Sequence, residues 1–337
     1  MTLAFGILSS HEHPGAIAQL VDALGPQVLV WIHHDPSKGE RPALRRPNVR
    51  FITNPVKTAW GEWSLCEAAL RLQRAALVDP TWRYFQLLSG SCLPIKPLAD
   101  FERHVDASVA PVNMDAVALA ADPVALMSHG FRAYARADSV GHRVLRRLRR
   151  WYLGRDDTPI DRQGLAFSTR ASGSPPTARS RLALGSMRWI ACGAAPGIDH
   201  PFGVGRLQCY VGSTWWGARR EVCEFVVAQP EDGPLQRFFK RVLIPDEFYF
   251  QTLLGNSPFC IGESNHLVSR FDGAHPSCIG PDALPVLGAS PRHFARKFPD
   301  DPSDPLRLAV LARLEARLEA RRRTLPVRPA QERCRCG

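Results

Sequence analysis

Residues 3–36 read LAFGILSSHEHPGAIAQLVDALGPQVLVWIHHDP, and this stretch decides the fold class. Leu3–Leu8 is a continuous apolar run of strand length, the pattern of a strand buried on both faces. A polar loop follows, Ser9 to Pro14. Ile17, Leu20, Val21 and Leu24 then recur at helical spacing until Gly25-Pro26 stops the helix. Val28–His33 is a second buried strand, and Val49–Ile52 a third, short one. This order predicts an α/β nucleotide-binding fold, with a central mostly parallel sheet flanked by helices. Ligands of such sheets sit at the carboxyl ends of the strands, which puts His11 and Asp35 at the mouth of a site. Neither a GxGxxG fingerprint nor a GxxxxGK[ST] phosphate loop is present.

The 337 residues are 45% hydrophobic, ample for a buried core, and carry a formal net charge of +11. A basic surface suits an acidic partner: nucleic acid, a phosphorylated small molecule or an anionic membrane face. No run approaches the roughly 20 apolar residues of a spanning helix. The start, MTLAFGILSS, lacks the basic region of an export signal, so the expected location is cytoplasmic. The nine cysteines include no CxxC pair, which argues against a zinc ribbon or a thioredoxin-type site. Reduced thiols are expected, with Cys334 and Cys336 as a CxC in a polar tail.

Further along, Leu65–Leu77 reads as a helix that Ser64 and Glu67 would cap as a capping box. Trp82–Leu88 reads as a strand and Leu98–Val105 as a helix start. Val140–Leu153 is an amphipathic helix with Arg143, Arg146, Arg147, Arg149 and Arg150 beside apolar positions. A solvated face, contact with an anionic membrane and contact with nucleic acid are its three readings. Residues 155–184, rich in Arg, Ser, Pro and Gly, read as a long mobile loop. Regular structure is expected again at Met187–Ile190, Gln208–Val211, Arg220–Val227 and His266–Phe271. Ile244–Phe259, IPDEFYFQTLLGNSPF, reads as one short helix with Asp246 and Glu247 at its mouth. Acids there either interact with the helix dipole or serve as a base toward a bound hydroxyl. Residues 1–300 are expected to form the main domain, 303–323 an amphipathic helix on its back, and 324–337 a disordered tail.

Several stretches, in the same order, resemble one family. They are IHHDP (32–36), VKTAWGEWSLCEAAL (56–70), YFQLLSGSCLPIKP (84–97), YVGSTWWGARREVCEF (210–225), PDEFYFQTLLGNSPF (245–259) and FARKF (294–298). The chain is identified as a bacterial-type member of the core-2/I-branching β-1,6-N-acetylglucosaminyltransferases, a family that also contains peptide O-xylosyltransferases. The resemblance implies a GT-A-like nucleotide-sugar-binding fold. It also implies inverting transfer from a UDP-sugar to a glycan or peptide acceptor, with no cofactor and no metal.

The resemblance makes Glu247 the general base and leaves Asp246 to cap or orient. A helix N-terminus would keep Glu247 ionised at neutral pH. Lys297 in FARKF matches a phosphate-binding lysine, and His275 stands nearest the position of its second basic partner. Arg270, Arg292 or Arg296 are the alternatives. His11, Asp35, Trp60, Ser89 and Gly90 complete the donor side, with Asp35 on the nucleoside. Gly212, Ser213, Trp215, Trp216 and Asp246 form the acceptor side, where Gly212-Ser213 would let a ligand approach the backbone. Trp60, Trp63, Trp215 and Trp216 are candidates to stack on sugar or base. Cys92 departs from the Asp of many relatives and reads as a buried thiol. Arg219 is either a helix-start surface residue or an acceptor contact. Nucleic acid is not expected as a partner, whereas peripheral contact with an anionic membrane is. The competing reading is a binder of anionic polymer or membrane on the same fold, without turnover.

Overall fold

A computed structural model describes residues 2–119, 122–136, 138–153, 177–194, 201–202, 206–262, 264–272 and 275–324. The opening apolar run forms β1 (Thr2–Ser9), and α1 (Pro14–Leu24) returns the chain to β2 (Leu29–His34). Gly25, at φ 83°, ends α1 with its N–H turned back to the Val21 and Asp22 carbonyls. β3 (Val49–Phe51) lies beside β2. α2 (Trp63–Leu77) leads to β4 (Trp82–Ser89), which pairs with the other side of β1. Next come β5 (Leu93–Pro94), α3 (Leu98–Ala107), β6 (Val112–Met114), β7 (Val117–Ala118) and α4 (Pro123–Met127). α5 (Val140–Leu153) and α6 (Ala178–Ala194) pack on each other around Leu145, Tyr152, Ala183 and Met187.

β8 (Tyr210–Val211), β9 (Trp216–Arg219), α7 (Arg220–Val227), α8 (Pro234–Phe239) and α9 (Tyr249–Gly255) follow. β10 (Ile261–Gly262), β11 (Leu267–Ser269), β12 (Phe271–Asp272) and β13 (His275–Pro276) come next. The described chain closes with α10 (Leu284–Ala289), β14 (Phe294–Arg296) and α11 (Pro305–Thr324). Among the described residues the central sheet has seven strands in the order β10-β6-β9-β4-β1-β2-β3. β3, β2, β1 and β4 are parallel, and β10 is parallel to β6. β9 runs antiparallel between β4 and β6. A smaller sheet, β11-β14-β5, stands apart. The α/β layout and mostly parallel sheet expected from residues 3–36 are therefore present.

Local expectations fare unevenly. The capping box on α2 does not form, because the helix starts two residues earlier, at Trp63, with Glu62 as its N-cap. Ser64 Oγ instead accepts from the Ala59 N–H at 3.0 Å, and Glu67 pairs with Arg71 at 2.8 Å. The loop read over 155–184 is cut short at its far end, since 178–184 already belong to α6, as does Met187–Ile190. Residues 154–176 and the tail from 325 lie outside the described residues. The strand read over His266–Phe271 is two short strands, β11 and β12. α11 packs through Leu306, Val310 and Leu314, while Leu318 is exposed. Its Arg307 is fully buried and donates to Gln19 Oε1 and to the carbonyls of Pro299 and Ala16. A guanidinium can be buried there because its donors meet protein acceptors in place of water.

Candidate active site

The expected segments meet at the carboxyl ends of β1, β2 and β4. Asp35 N–H donates to the Ser9 carbonyl and Gly90 N–H to the Leu8 carbonyl, each at 2.9 Å. Phe298 N–H reaches the Ser91 carbonyl at 3.0 Å, which brings the exit of β14 against the turn after β4. From the other side, Gly212 N–H donates to the Glu247 carbonyl at 2.8 Å, and Ile244 N–H to the Gly61 carbonyl at 2.9 Å. Loops far apart in sequence are thus fixed to one another by backbone bonds.

The PDE stretch is not the mouth of a single helix. Pro245–Glu247 form a 3-10 turn, and Phe248, at φ −126° and ψ −41°, breaks it from α9. Ile244 just before it sits at φ 58°, a left-handed conformation costly for a β-branched residue. Backbone held in such a region clusters at functional sites, because the surroundings must over-determine it. Here the bonds between Ile244 and Gly61 and between Glu247 N–H and the Ile244 carbonyl hold the turn. The aromatic run behind it is fully packed. Phe248 stacks on Phe239, Tyr249 meets Trp63 edge-on at 4.8 Å, and Phe250 lies 5.3 Å from Trp216.

Asp246 caps nothing. It is buried, and its Oδ2 accepts from Thr214 Oγ1 at 2.6 Å while Oδ1 is buried without a partner. Burial raises its pKa above the ordinary carboxyl value, against the Thr214 hydrogen bond. Glu247 does not behave as a dipole-stabilised carboxylate either. Burial, reinforced by neighbouring Asp246 and opposed by Arg296, pushes its pKa up to about 8. Lost hydration outweighs the dipole of a single 3-10 turn.

Arg296 is the cation at the centre of this cluster. Its guanidinium lies 4.6 Å from the Trp215 ring centre, and its Nε is buried without a hydrogen-bond partner. Burial lowers its pKa, against the influence of Cys92, Glu12 and Glu247, so these groups all lie in its field. Lys297 follows directly and is partly buried. The arrangement joins a high-pKa carboxyl, an incompletely satisfied guanidinium and an indole face. Such a set can take a proton from a hydroxyl and offset charge on a departing anion.

The other expected site residues divide. Asp35 is fully buried, and its oxygens accept from the N–H and hydroxyl of both Ser37 and Thr58 at 2.5–2.8 Å. Burial would raise its pKa, but those bonds prevail and hold it near 2. The carboxylate ties the end of β2 to the loop before α2. His11 is exposed beside Ser10, and Trp60 is 65% exposed at the rim. Ser89 is buried, with Oγ against Ser91 Oγ and Cys92 Sγ. Cys92 is fully buried, and its thiol pKa is raised by that burial. Trp215 lines the cluster, whereas Trp216 is 0% exposed and has no surface open to an acceptor. What approaches Gly212 is not a ligand but protein: a Cβ there would lie 1.7 Å from the Asp115 carbonyl oxygen. Ser213 accepts from Gln251 Nε2 through its carbonyl. Arg219 donates to the Ser108 carbonyl at 2.6 Å, a structural link. His275 lies in β13, but its side chain is outside the described residues. Arg270 pairs with Asp282.

Glu12 was not among the expected site residues. Its carboxylate fills the space over Gly90, where a Cβ would lie 2.8 Å from Glu12 Cδ. Its signal was its place in the loop after the first strand, beside His11.

A mostly parallel α/β sheet flanked by helices, with a carboxyl–cation cluster at its strand ends, is consistent with a GT-A-like glycosyltransferase layout. The sequence profile of the Core-2/I-Branching enzymes matches residues 26–117 and 197–277, just over half of the chain, and the chain belongs to that family. It is therefore a glycosyltransferase, an enzyme with a nucleotide-sugar donor and a glycan acceptor. Glu247 lies within the matched residues, and Arg296 and Lys297 lie beyond them. No curated protein matches the chain. No helix among the described residues is long and apolar enough to cross a membrane.

Proposed function

We propose that the protein moves N-acetylglucosamine or xylose from a UDP-sugar to an acceptor hydroxyl by an inverting displacement that needs no metal. Glu247 takes the proton of the acceptor hydroxyl as the new bond to the anomeric carbon forms. The bond from that carbon to the diphosphate oxygen breaks, and its electron pair leaves with UDP. Arg296 and Lys297 offset the charge that develops there. The observation that carries this reading is Arg296 lying over Trp215 within the field of Glu247, its buried Nε lacking a partner. A buried, unpaired donor is a group awaiting an acceptor. Arg296 thus takes the place of the second basic contact for which His275 was the nearest candidate.

UDP release from UDP-N-acetylglucosamine or UDP-xylose, measured with and without EDTA, tests the reading. Turnover that survives EDTA supports it. Turnover restored only by Mg2+ or Mn2+ refutes metal independence, and full turnover by Glu247→Gln refutes the base.

The same reading includes peripheral attachment to an anionic membrane through α5 and α6. Neither helix contains an acidic residue, and α6 adds Arg179, Arg181 and Arg188 to the five arginines of α5. Val140, Val144, Leu182 and Trp189 are 67%, 44%, 69% and 80% exposed. Val144, Leu182 and Trp189 border a groove of about 650 Å3 that includes Leu148 and Ile190. Basic side chains flanking exposed apolar ones suit a headgroup layer, which takes up charge and apolar surface together. Flotation with vesicles containing anionic lipid, but not with neutral ones, is expected. Equal flotation with both refutes the electrostatic part, and salt-sensitive binding to nucleic acid alone refutes the membrane.

A further inference from the structure

Outside the transfer site, His104 on α3, His266 before β11 and His293 before β14 come together. Each offers a ring nitrogen, and these nitrogens lie within 4.8 Å of one another. Their ring centres are 5.1 Å (His104–His266), 4.9 Å (His104–His293) and 5.9 Å (His266–His293) apart. Imidazoles bound to one tetrahedral ion at about 2.0–2.1 Å place their ring centres about 5 Å apart. The rings therefore already stand at the spacing that such an ion imposes, and small rotations converge the nitrogens.

The second shell is also in place. Tyr84 OH donates to Asn113 Oδ1 at 3.0 Å, so it accepts from His266 Nε2 at 3.1 Å. That bond puts the His266 proton on Nε2 and leaves the lone pair on Nδ1, the fixing of tautomer and orientation typical of ligating histidines. His293 Nδ1 is buried without a hydrogen-bond partner, a cost that a ligand would remove. His266 and His293 are buried while His104 is exposed, which gives an ion access and leaves room for water. The pair is held rigidly, because His293 N–H donates to the His266 carbonyl at 3.1 Å. Lys96, Arg292 and Asp100 also lie in the field of these rings.

We propose that His104, His266 and His293 bind one divalent transition-metal ion of the zinc class, with water completing its coordination, apart from the glycosyl-transfer site. Nitrogen donors select this class over the oxygen-preferring Mg2+ and Mn2+. The ion would join the last turn of α3 to the starts of β11 and β14. β14 carries Arg296 at its other end, about 10 Å along the strand. The role is bracing, so its loss lowers stability while turnover remains.

The test uses tag-free full chain in a Cys334→Ser/Cys336→Ser background, which removes a competing thiol pair. After chelation and dialysis, Co2+ is titrated and its visible absorption followed. The expected result is saturation at one equivalent, with the intense bands of four- or five-coordinate cobalt, bleached by Zn2+. His104→Ala, an exposed position that should not disturb folding, is expected to weaken binding at least about tenfold. His13→Ala, an exposed histidine elsewhere, should leave it unchanged. Zn2+ should raise the melting temperature of the parent and not of His104→Ala, because the ion binds only the folded site. A pale octahedral spectrum, or equal binding and equal melting shifts in parent and His104→Ala, would overturn the proposal. Activity lost in EDTA but recovered with Mg2+ would bear on the transfer chemistry and leave this test unaffected.

Discussion

Replacing Glu247 with Gln removes one ionisation while keeping the shape of the side chain. The ordinary glutamate pKa of 4.5 rises to about 8 in the folded protein. The folded chain therefore holds a proton that the unfolded chain releases above its ordinary value. Stability from this group is complete below about pH 4.5 and is lost as pH rises toward about 8. At about 1.4 kcal/mol per pK unit, the loss is at most about 5 kcal/mol. Glu247 is only partly buried, so water takes a share, and about 1–3 kcal/mol is the expected loss. Gln cannot ionise and escapes it. In urea denaturation the variant should thus gain about 1–3 kcal/mol over the parent between about pH 5 and about pH 8. Its turnover should fall by about 100-fold or more, the usual worth of a positioned base. The parent's kcat/KM should climb nearly tenfold per pH unit and level off near pH 8, where the base is ionised. Parallel stability curves for the two proteins, or a parent activity already flat from about pH 6, would refute the reasoning.

Arg296→Ala should raise KM for the UDP-sugar and lower kcat/KM by at least about tenfold, and Arg296→Lys should recover part of it, because charge returns without the planar fork. Gly212→Ala should cost about 3 kcal/mol or more in urea denaturation, since the new Cβ would lie 1.7 Å from the Asp115 carbonyl oxygen and neither backbone can rotate away. Thr214→Val should destabilise the fold at neutral pH by about 1–3 kcal/mol, because buried Asp246 loses its hydroxyl donor. Arg307→Ala should cost about 2–4 kcal/mol by leaving Gln19 Oε1 and the Pro299 and Ala16 carbonyls without their donor, with turnover of the remaining folded protein retained.

The layers of this protein are legible in its amino-acid order. Alternation of apolar runs and helical spacing is a local property, so β1, α1, β2, α2 and β4 could be read within a residue or two. The ordered stretches likewise carried the family and singled out Glu247 as a candidate base. How those residues behave follows from their packing. Ionisation depends on what surrounds a group in three dimensions, and a helix-dipole reading of PDE could not foresee the burial that raises Glu247 to about 8. Trp215 and Trp216 are adjacent in sequence, yet one lies under Arg296 and the other is sealed in the core. Gly212 looked like space for a ligand until the Asp115 backbone occupied it. His104, His266 and His293 are up to 189 positions apart and show no spacing signal; only packing α3 against β11 and β14 brings them together.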